Sequence, residues 1–387
     1  LVIKTKVCIV GAGPAGTVAS LFLSKYGVEH VLTERSVFPR EKVCGEFYDG
    51  RLRRVFDKLD PALLDEMREA GVIQDINRYS FYNTRMNELH VPSKPNARIS
   101  TNRPKFDMFL LQKALQSPFV RHFDNANIRS AAVAKEGVVL KDMPGKLNIQ
   151  AQLALIATGN NSSLPQQVVP DNTSGGHFML AARGYYRNLN FEQSIKSTHN
   201  FMVKDPVRCY IFIAELPGNL ATVELFVLRD IAVKHKVSPK ALLLHLIEKH
   251  PALKKIFAGA GLEGNIRGIS IPYTSSRQRI SAERVMLCGS CGYNINPLTG
   301  LGVGHAVFTA MHAAAQCVKS LDTHDFSAKA LQAYDQLIYK SLKFDNRLGK
   351  MADFGVKNLH TAVNTLFNIV AASPFLKKSV GKIINKL

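Results

Sequence analysis

The sequence predicts an α/β protein: a parallel sheet interrupted by an inserted antiparallel sheet and followed by a helical C-terminus. Three observations predict it. An apolar strand, Lys6-Val7-Cys8-Ile9-Val10, runs into a glycine turn and a helical pattern near the start of the 387-residue chain. A second buried strand, Arg284-Val285-Met286-Leu287-Cys288, runs into another glycine turn and a helix towards the other end. Between them, from about residue 175 to 230, lie β-rich runs divided by turn residues such as Pro217-Gly218-Asn219, as an antiparallel sheet requires.

The first element is the most specific. Gly11-Ala12-Gly13-Pro14-Ala15-Gly16 is a G-x-G-x-x-G between strand and helix (Val18, Ala19, Leu21, Phe22, Leu23), and a second strand, His30-Val31-Leu32-Thr33, ends on Glu34. Gly11 permits the tight turn, Gly13 lets a pyrophosphate approach the backbone, and Gly16 lets helix and strand pack closely. The helix start, with Pro14 and Ala15, offers unpaired N–H groups to phosphate. Glu34 is placed to accept hydrogen bonds from a ribose diol. The expectation is a bound dinucleotide.

Residues 36–70 are mixed and charged, with helical spacing at Leu52, Val55, Phe56 and Leu59. Short strands follow to about Ser100, then a helix over 104–115, strand pieces near 138–140 and 147–150, and a buried strand through Ala157 into Thr158-Gly159-Asn160. The β-rich runs are 178–186, 197–203, 208–216 and 221–228; a helix covers Pro239–Lys249, and a long one spans about 300–320. The expected division is residues 1–75, 101–170 and 276–340 in one domain, 76–100 and 171–275 in a second, and 341–387 as a basic helical C-terminal segment.

A hydrophobic content of 46% and a charged content of 21% describe an ordinary globular chain. Six cysteines in this length are no disulfide framework, and no apolar run reaches 18 residues, so a cytoplasmic protein without a spanning helix is expected. No signal peptide is read at the N-terminus, and no metal site is expected, because Cys288-Gly289-Ser290-Cys291 has no second C-x-x-C to complete it. The formal net charge of +20 implies an anionic partner. No nucleic-acid motif is present, so nucleic acid is not expected. Residues 341–387 carry 8 Lys/Arg against 2 Asp/Glu with amphipathic spacing (Val363, Leu366, Phe367, Ile369, Val370). They read equally as a helical cap on the first domain or as a surface resting on anionic lipid, and the overall charge favours peripheral membrane contact.

The segment from Leu287 to Gly302 is strand, turn, proline, glycine pair and helix start, with Pro297, Gly300, Leu301 and Gly302 forming a P-x-x-G-x-G turn that aims backbone N–H groups at an electron-rich ligand. With this segment the chain resembles the FAD-dependent oxidoreductases of the geranylgeranyl reductase and aromatic-hydroxylase (p-hydroxybenzoate hydroxylase-like) superfamily. Glu34-Arg35 resembles that family's ribose-binding acid and following Arg. The segment Phe38-Pro39-Arg40-Glu41-Lys42-Val43-Cys44-Gly45 resembles the F-P-R-x-K-x-C-G of the reductase branch, which lies along the flavin. Arg103 with Phe106-Asp107 resembles R-x-x-F-D, and Ala157-Thr158-Gly159 resembles the A-x-G turn. The resemblance implies a Rossmann-like FAD-binding domain with an inserted antiparallel-sheet substrate domain, FAD as cofactor, and NAD(P)H as a candidate electron donor. Catalysis is assigned to the flavin, with Cys44 and Pro297 the candidate side chains beside it.

Two departures stand out. Ser290 replaces the family's Asp and offers one neutral hydrogen bond to the ribityl chain. The chain has no Trp, so the Y-x-W-x-F-P strand of the reductases has only Tyr210-Ile211-Phe212-Ile213 and Pro217 as counterpart, and the W-x-W-x-I-P of halogenases is absent. Glu46, Tyr48 and Arg183 are candidates for the substrate side, Tyr185, Tyr186 and Phe212 for core or cavity wall. Cys288 and Cys291, and His305 on the last long helix, read more readily as packing residues than as redox or catalytic groups. The expected activity is hydroxylation of a hydrophobic aromatic or polyketide-like substrate, ahead of reduction of prenyl double bonds; a flavin-binding protein with weakened catalysis is the reading from another class.

Overall fold

The computed structural model describes residues 1–94, 98–143, 145–171, 177–191, 196–273, 277–292, 301–343 and 360–384. The first sheet is doubly wound. Its parallel strands run in the order Val120–Phe123, His30–Thr33, Val2–Val10, Asn148–Ile156, Val285–Leu287, with Ser281–Ala282 antiparallel at the far edge. Val7–Val10 sits at the centre and is buried throughout, which is why it reads as an unbroken apolar run and not as an alternation. Asn148–Ile156 serves two neighbours along one edge. Its first half pairs with antiparallel Gly137–Asp142, and its second half with Val285–Leu287. The sequence expectation of an α/β fold with a Rossmann-like domain holds.

The N-terminal helix, Pro14–Lys25, packs against the late helix Val303–Thr323. Small residues make this close contact: Ala15 and Ala19 on one side, Ala306, Ala310, Ala313 and Ala314 on the other, all buried. The two ends of the chain are thereby brought to one place.

The second sheet has seven strands in the order Gly261–Tyr273, His177–Arg187, Leu220–Leu228, Arg208–Leu216, Ser197–Lys204, Arg78–Tyr82, Glu88–Pro92. It is antiparallel except where Ser197–Phe201 runs parallel to Arg78–Tyr82. That junction joins the hairpin of residues 78–92 to strands a hundred residues later, a separation long enough for a parallel pairing. Helix Pro239–Lys249 covers one face, burying Leu242, Leu243 and Leu246 with Ile211, Ile213, Val223 and Leu225. A small sheet of Phe47–Tyr48, Ile99–Thr101 and Ile73–Asp75 lies at the seam, tied to the large one where Gln74 Nε2 donates to the Glu215 carbonyl at 2.8 Å.

The C-terminal helices His360–Ala372 and Pro374–Ile384 pack on the hairpin of the second sheet, not on the dinucleotide sheet as a cap would. Phe367, Val370, Leu376 and Val380 meet Tyr79, Leu89 and Val91. Asn368 Oδ1 accepts from Asn83 Nδ2 and Asn87 Nδ2, each at 2.9 Å. The opposite side leaves Ile369 and Phe375 in solvent, Phe375 at 77% exposure. Among the described residues no helix is long and apolar enough to cross a membrane.

Candidate functional site

The three motif glycines near the N-terminus serve different ends. Gly11 has φ +104°, and a Cβ there would stand 2.6 Å from the Ala157 carbonyl oxygen. A Cβ on Gly16 would lie 1.7 Å from the Gly11 carbonyl oxygen, so Gly16 holds helix to strand and does not itself line the cavity. A Cβ on Gly13 would meet only Arg40 Nη2, at 3.4 Å, leaving open space over the turn. The helix beyond begins with Pro14 and has no side-chain cap, so its first free N–H groups are available to an anion.

Glu34 is fixed at the edge of this space. Its Oε2 accepts from Ala12 N at 2.9 Å and its Oε1 from Ser36 N at 3.1 Å, with Arg40 Nε 3.7 Å away. Arg103 holds Asp107 through two hydrogen bonds, 2.9 and 2.8 Å, and Arg40 approaches the same carboxylate at 3.4 Å. Lys42 sits among these cations. Burial first, and then the charges of Arg103, Arg40 and Arg35, push its ammonium down to about 8. Beside the carboxylates of Glu34 and Asp107, Lys42 has no ion pair of its own among the described residues, so a pyrophosphate bound in the cradle would favour its charged form. The side-chain oxygens of Thr158 and Asn160, on the same wall, are buried without a hydrogen-bond partner among the described residues.

The late segment arrives beside this cradle. Gly289 turns at φ +70° and donates its N–H to Thr309 Oγ1 at 2.9 Å, and the turn presents Ser290 to the cavity. Leu301 and Gly302 line it where helix Val303–Thr323 begins. Pro297 and Gly300 lie outside the described residues. Arg35, Arg40, Lys42, Cys44, Gly45, Arg103 and Gly159 all line the same space. Two backbone turns far apart in sequence thus share one cavity, as an extended dinucleotide needs.

The cysteines are quiet. All six are free. Cys291 donates its thiol to the Ile156 carbonyl at 2.9 Å, and burial pushes it up to about 11; burial drives Cys288 up as well. Both thiols stay protonated, which suits packing and not dithiol chemistry. Burial also raises the Cys44 thiol, whose sulfur accepts from Glu46 N at 3.4 Å. His305 is buried in the first turn of its helix.

The cavity holds about 1100 Å³ and continues from the cradle to the second sheet, where Met179, Met202, Phe212, Phe226, Ile269 and Ile271 form an apolar wall. Tyr210 and Phe212, the counterpart of the reductase Trp strand, are in that wall. Tyr186 is core and stacks edge-on with Phe257. Glu46, Tyr48 and Arg183 do not line the cavity; they are buried one layer behind it. Burial raises the Glu46 carboxyl to about 7, against hydrogen bonds from Tyr185 Oη and from Arg103 N at 2.8 Å. The wall does contain an acid absent from the sequence expectations. Glu224, 3% exposed, lines the cavity, and burial followed by the Glu46 charge raises it to about 8. Its only sequence signal is an acid inside an otherwise apolar strand.

A doubly wound sheet with a phosphate cradle, opening onto an apolar cavity under a second sheet, defines an FAD-dependent oxidoreductase. The chain belongs to the FAD binding domain family, whose model matches residues 4–336. It is 22% identical over 344 residues to the digeranylgeranylglycerophospholipid reductase of Thermoplasma acidophilum, covering 86% of this chain and 82% of that one. It is 23% identical over 363 residues to the tryptophan 2-halogenase of Chondromyces crocatus, covering 87% and 65%. Its fold is shared with a geranylgeranyl bacteriochlorophyll reductase-like protein from Thermoplasma acidophilum (TM-score 0.81, 17% identity, 98% and 96% of the two chains). It is shared too with the flavin-dependent brominase Bmp2 (TM-score 0.78, 17% identity, 99% and 93%). FAD, when bound, supplies the redox chemistry. The residues lining the cavity fit it: Gly13, Pro14 and Ala15 would hold the pyrophosphate, Glu34 the ribose, and Ser290, Leu301 and Gly302 the flavin end.

Proposed function

We propose that the protein is an FAD-dependent reductase that saturates double bonds in a hydrophobic, prenyl-like chain. The observation that carries this reading is the single cavity that joins the dinucleotide cradle to a wall of methionine, isoleucine and phenylalanine side chains, suited to a long flexible substrate. The several reductases among the relatives support it. This reverses the order expected from sequence, where hydroxylation stood first. Hydroxylation of an aromatic or polyketide-like ring has one observation in its favour, the polar patch of Thr198, Asn200 and Tyr210 on the same wall. NAD(P)H is the proposed source of electrons.

The discriminating experiment uses the purified holoprotein with chemically reduced flavin. Anaerobic saturation of prenyl alkenes supports the reductase; oxygen uptake stimulated by phenols, with no anaerobic turnover of alkenes, replaces it with the hydroxylase. The greasy substrate also suggests where the protein works. The C-terminal helices expose Ile369 and Phe375 beside Lys378 and Lys382, a face suited to an anionic membrane surface.

A further inference from the structure

Glu224 sits in strand Leu220–Leu228 opposite Arg183 on one side and Phe212 on the other. Its neighbours in sequence, Val223 and Leu225, turn into the apolar core behind the sheet, so the alternation of the strand sends the carboxyl to the cavity face. There it presses on the segment that carries Arg40, Lys42 and Cys44: a Cβ on Gly45 would lie 2.9 Å from Glu224 Oε2. No hydrogen bond to the Glu224 side chain is found among the described residues. A buried acid with an open side and no fixed partner is placed to serve a ligand.

The groups around it set its charge. Glu46 is wholly buried at φ +57°, a left-handed conformation that a glutamate adopts only under constraint, and its Oε2 has no partner among the described residues. Arg183 is buried, donates Nη2 to the Lys42 carbonyl at 3.2 Å, and lies 3.9 Å over the Tyr185 ring. Arg103 is engaged by Asp107, and Lys42 faces the cradle. The two buried carboxyls thus share one pocket, and burial together with the nearby Glu46 charge favours the protonated form of Glu224, against the pull of Arg183.

We propose that Glu224 is the acid that delivers a proton to the substrate in this cavity, with Glu46 and Arg183 as the buried residues that position it. The step rests on the reductase reading. The alkene π bond would open: one carbon would take the hydride that reduced FAD, when bound, would supply, and the other would take the proton as the Glu224 O–H bond breaks. The carboxylate left behind regains a proton from water before the next turnover.

The test compares wild type with Glu224→Gln and Glu224→Asp, each first shown to take up FAD. Infrared spectra of the holoprotein should show a protonated-carboxyl band that titrates away near pH 8 and is missing in Glu224→Gln. Alkene saturation should fall about 10²-fold or more in Glu224→Gln, a usual scale for loss of a general acid, and recover in part in Glu224→Asp. The wild-type rate should decline above pH 8. A band that still titrates away near pH 8 in Glu224→Gln, as distinct from the Glu46 band near pH 7, or turnover equal to wild type with the same pH profile, overturns the assignment and leaves the reductase reading standing. If wild type saturates no alkene, the reductase reading itself fails and the proton-delivery step with it, whatever the infrared band shows.

Discussion

Gly13 and Gly16 stand three residues apart in one motif, yet a methyl group would meet different obstacles at each. At Gly13 it meets only the mobile tip of Arg40, so Gly13→Ala should fold with an unchanged melting temperature while filling the space a pyrophosphate occupies. Its FAD affinity, read by fluorescence titration, should drop at least tenfold, about 1.4 kcal/mol. Lys42 reports on the same anion. Its ammonium is held down to about 8 by burial and neighbouring cations, so binding a pyrophosphate near pH 8 should draw a proton onto it. Calorimetry in buffers of different ionisation enthalpy should find proton uptake with FAD, lost in Lys42→Met. The acids work in the other direction. Glu46 and Glu224 titrate higher in the folded chain than the ordinary 4.5, so the folded state keeps protons that the unfolded state has released. The stability these two groups contribute is therefore fully present below about pH 4.5 and is lost as pH rises to about 7 for Glu46 and about 8 for Glu224, by up to about 1.4 kcal/mol per pH unit for each group. Glu224→Gln should flatten that slope in urea midpoints taken between pH 5 and 8. The glycines and Glu34 were legible in sequence because a phosphate turn needs local spacing. Glu224 was not, because only the tertiary fold sets it against Gly45.

Elements with a strong period were equally legible. Helix Pro239–Lys249 and the strands over 197–228 appear where the apolar spacing places them. Gly261–Tyr273 carries no strand expectation from sequence, since Gly261, Gly264, Gly268 and Pro272 break the apolar alternation. Its partner His177–Arg187 supplies the pairing, with a bulge between Arg183 and Tyr185. Val120–Phe123 was missed for another reason: an edge strand of four residues, Val-Arg-His-Phe, has too little burial to show a pattern. The helix Arg103–Leu115 shows what an element contributes to the site. One turn separates Arg103 from Asp107, so the helix itself sets their two-pronged contact, and both are buried. Asp107→Asn removes the charge and leaves the guanidinium in a low-dielectric setting. Such a broken buried pair costs about 3–5 kcal/mol, and chemical denaturation should find a loss of that order. Asp107→Asn together with Arg103→Met, which removes both charges, should recover most of it.

At the scale of the whole molecule, the net charge of +20 was visible from composition, but its destination was not. The cradle accounts for a few cations around one dinucleotide. The C-terminal helices add another basic surface: they pack on the hairpin of the second sheet, and Ile384 at their end reaches the cavity wall, where Arg98 Nη2 donates to its carbonyl at 3.0 Å. Of the apolar residues that sequence spacing singled out, Phe367 and Val370 are spent on this packing, while Ile369 is left outside. What remains outside is Phe375, Ile369 and the lysines, a face that combines an apolar anchor with positive charge. Each lysine near an anionic bilayer contributes about 1 kcal/mol, and the exposed phenyl ring adds burial in the interface. The protein should therefore sediment with vesicles rich in anionic lipid and not with purely zwitterionic ones, and less so as salt shortens the Debye length. Reversing Lys378 and Lys382 to Glu should weaken binding to the anionic vesicles by more than tenfold, and Phe375→Ser should weaken it further, while FAD uptake is unchanged in all. Equal binding by wild type and the charge-reversed variant would remove this face from the membrane and leave the site's chemistry untouched.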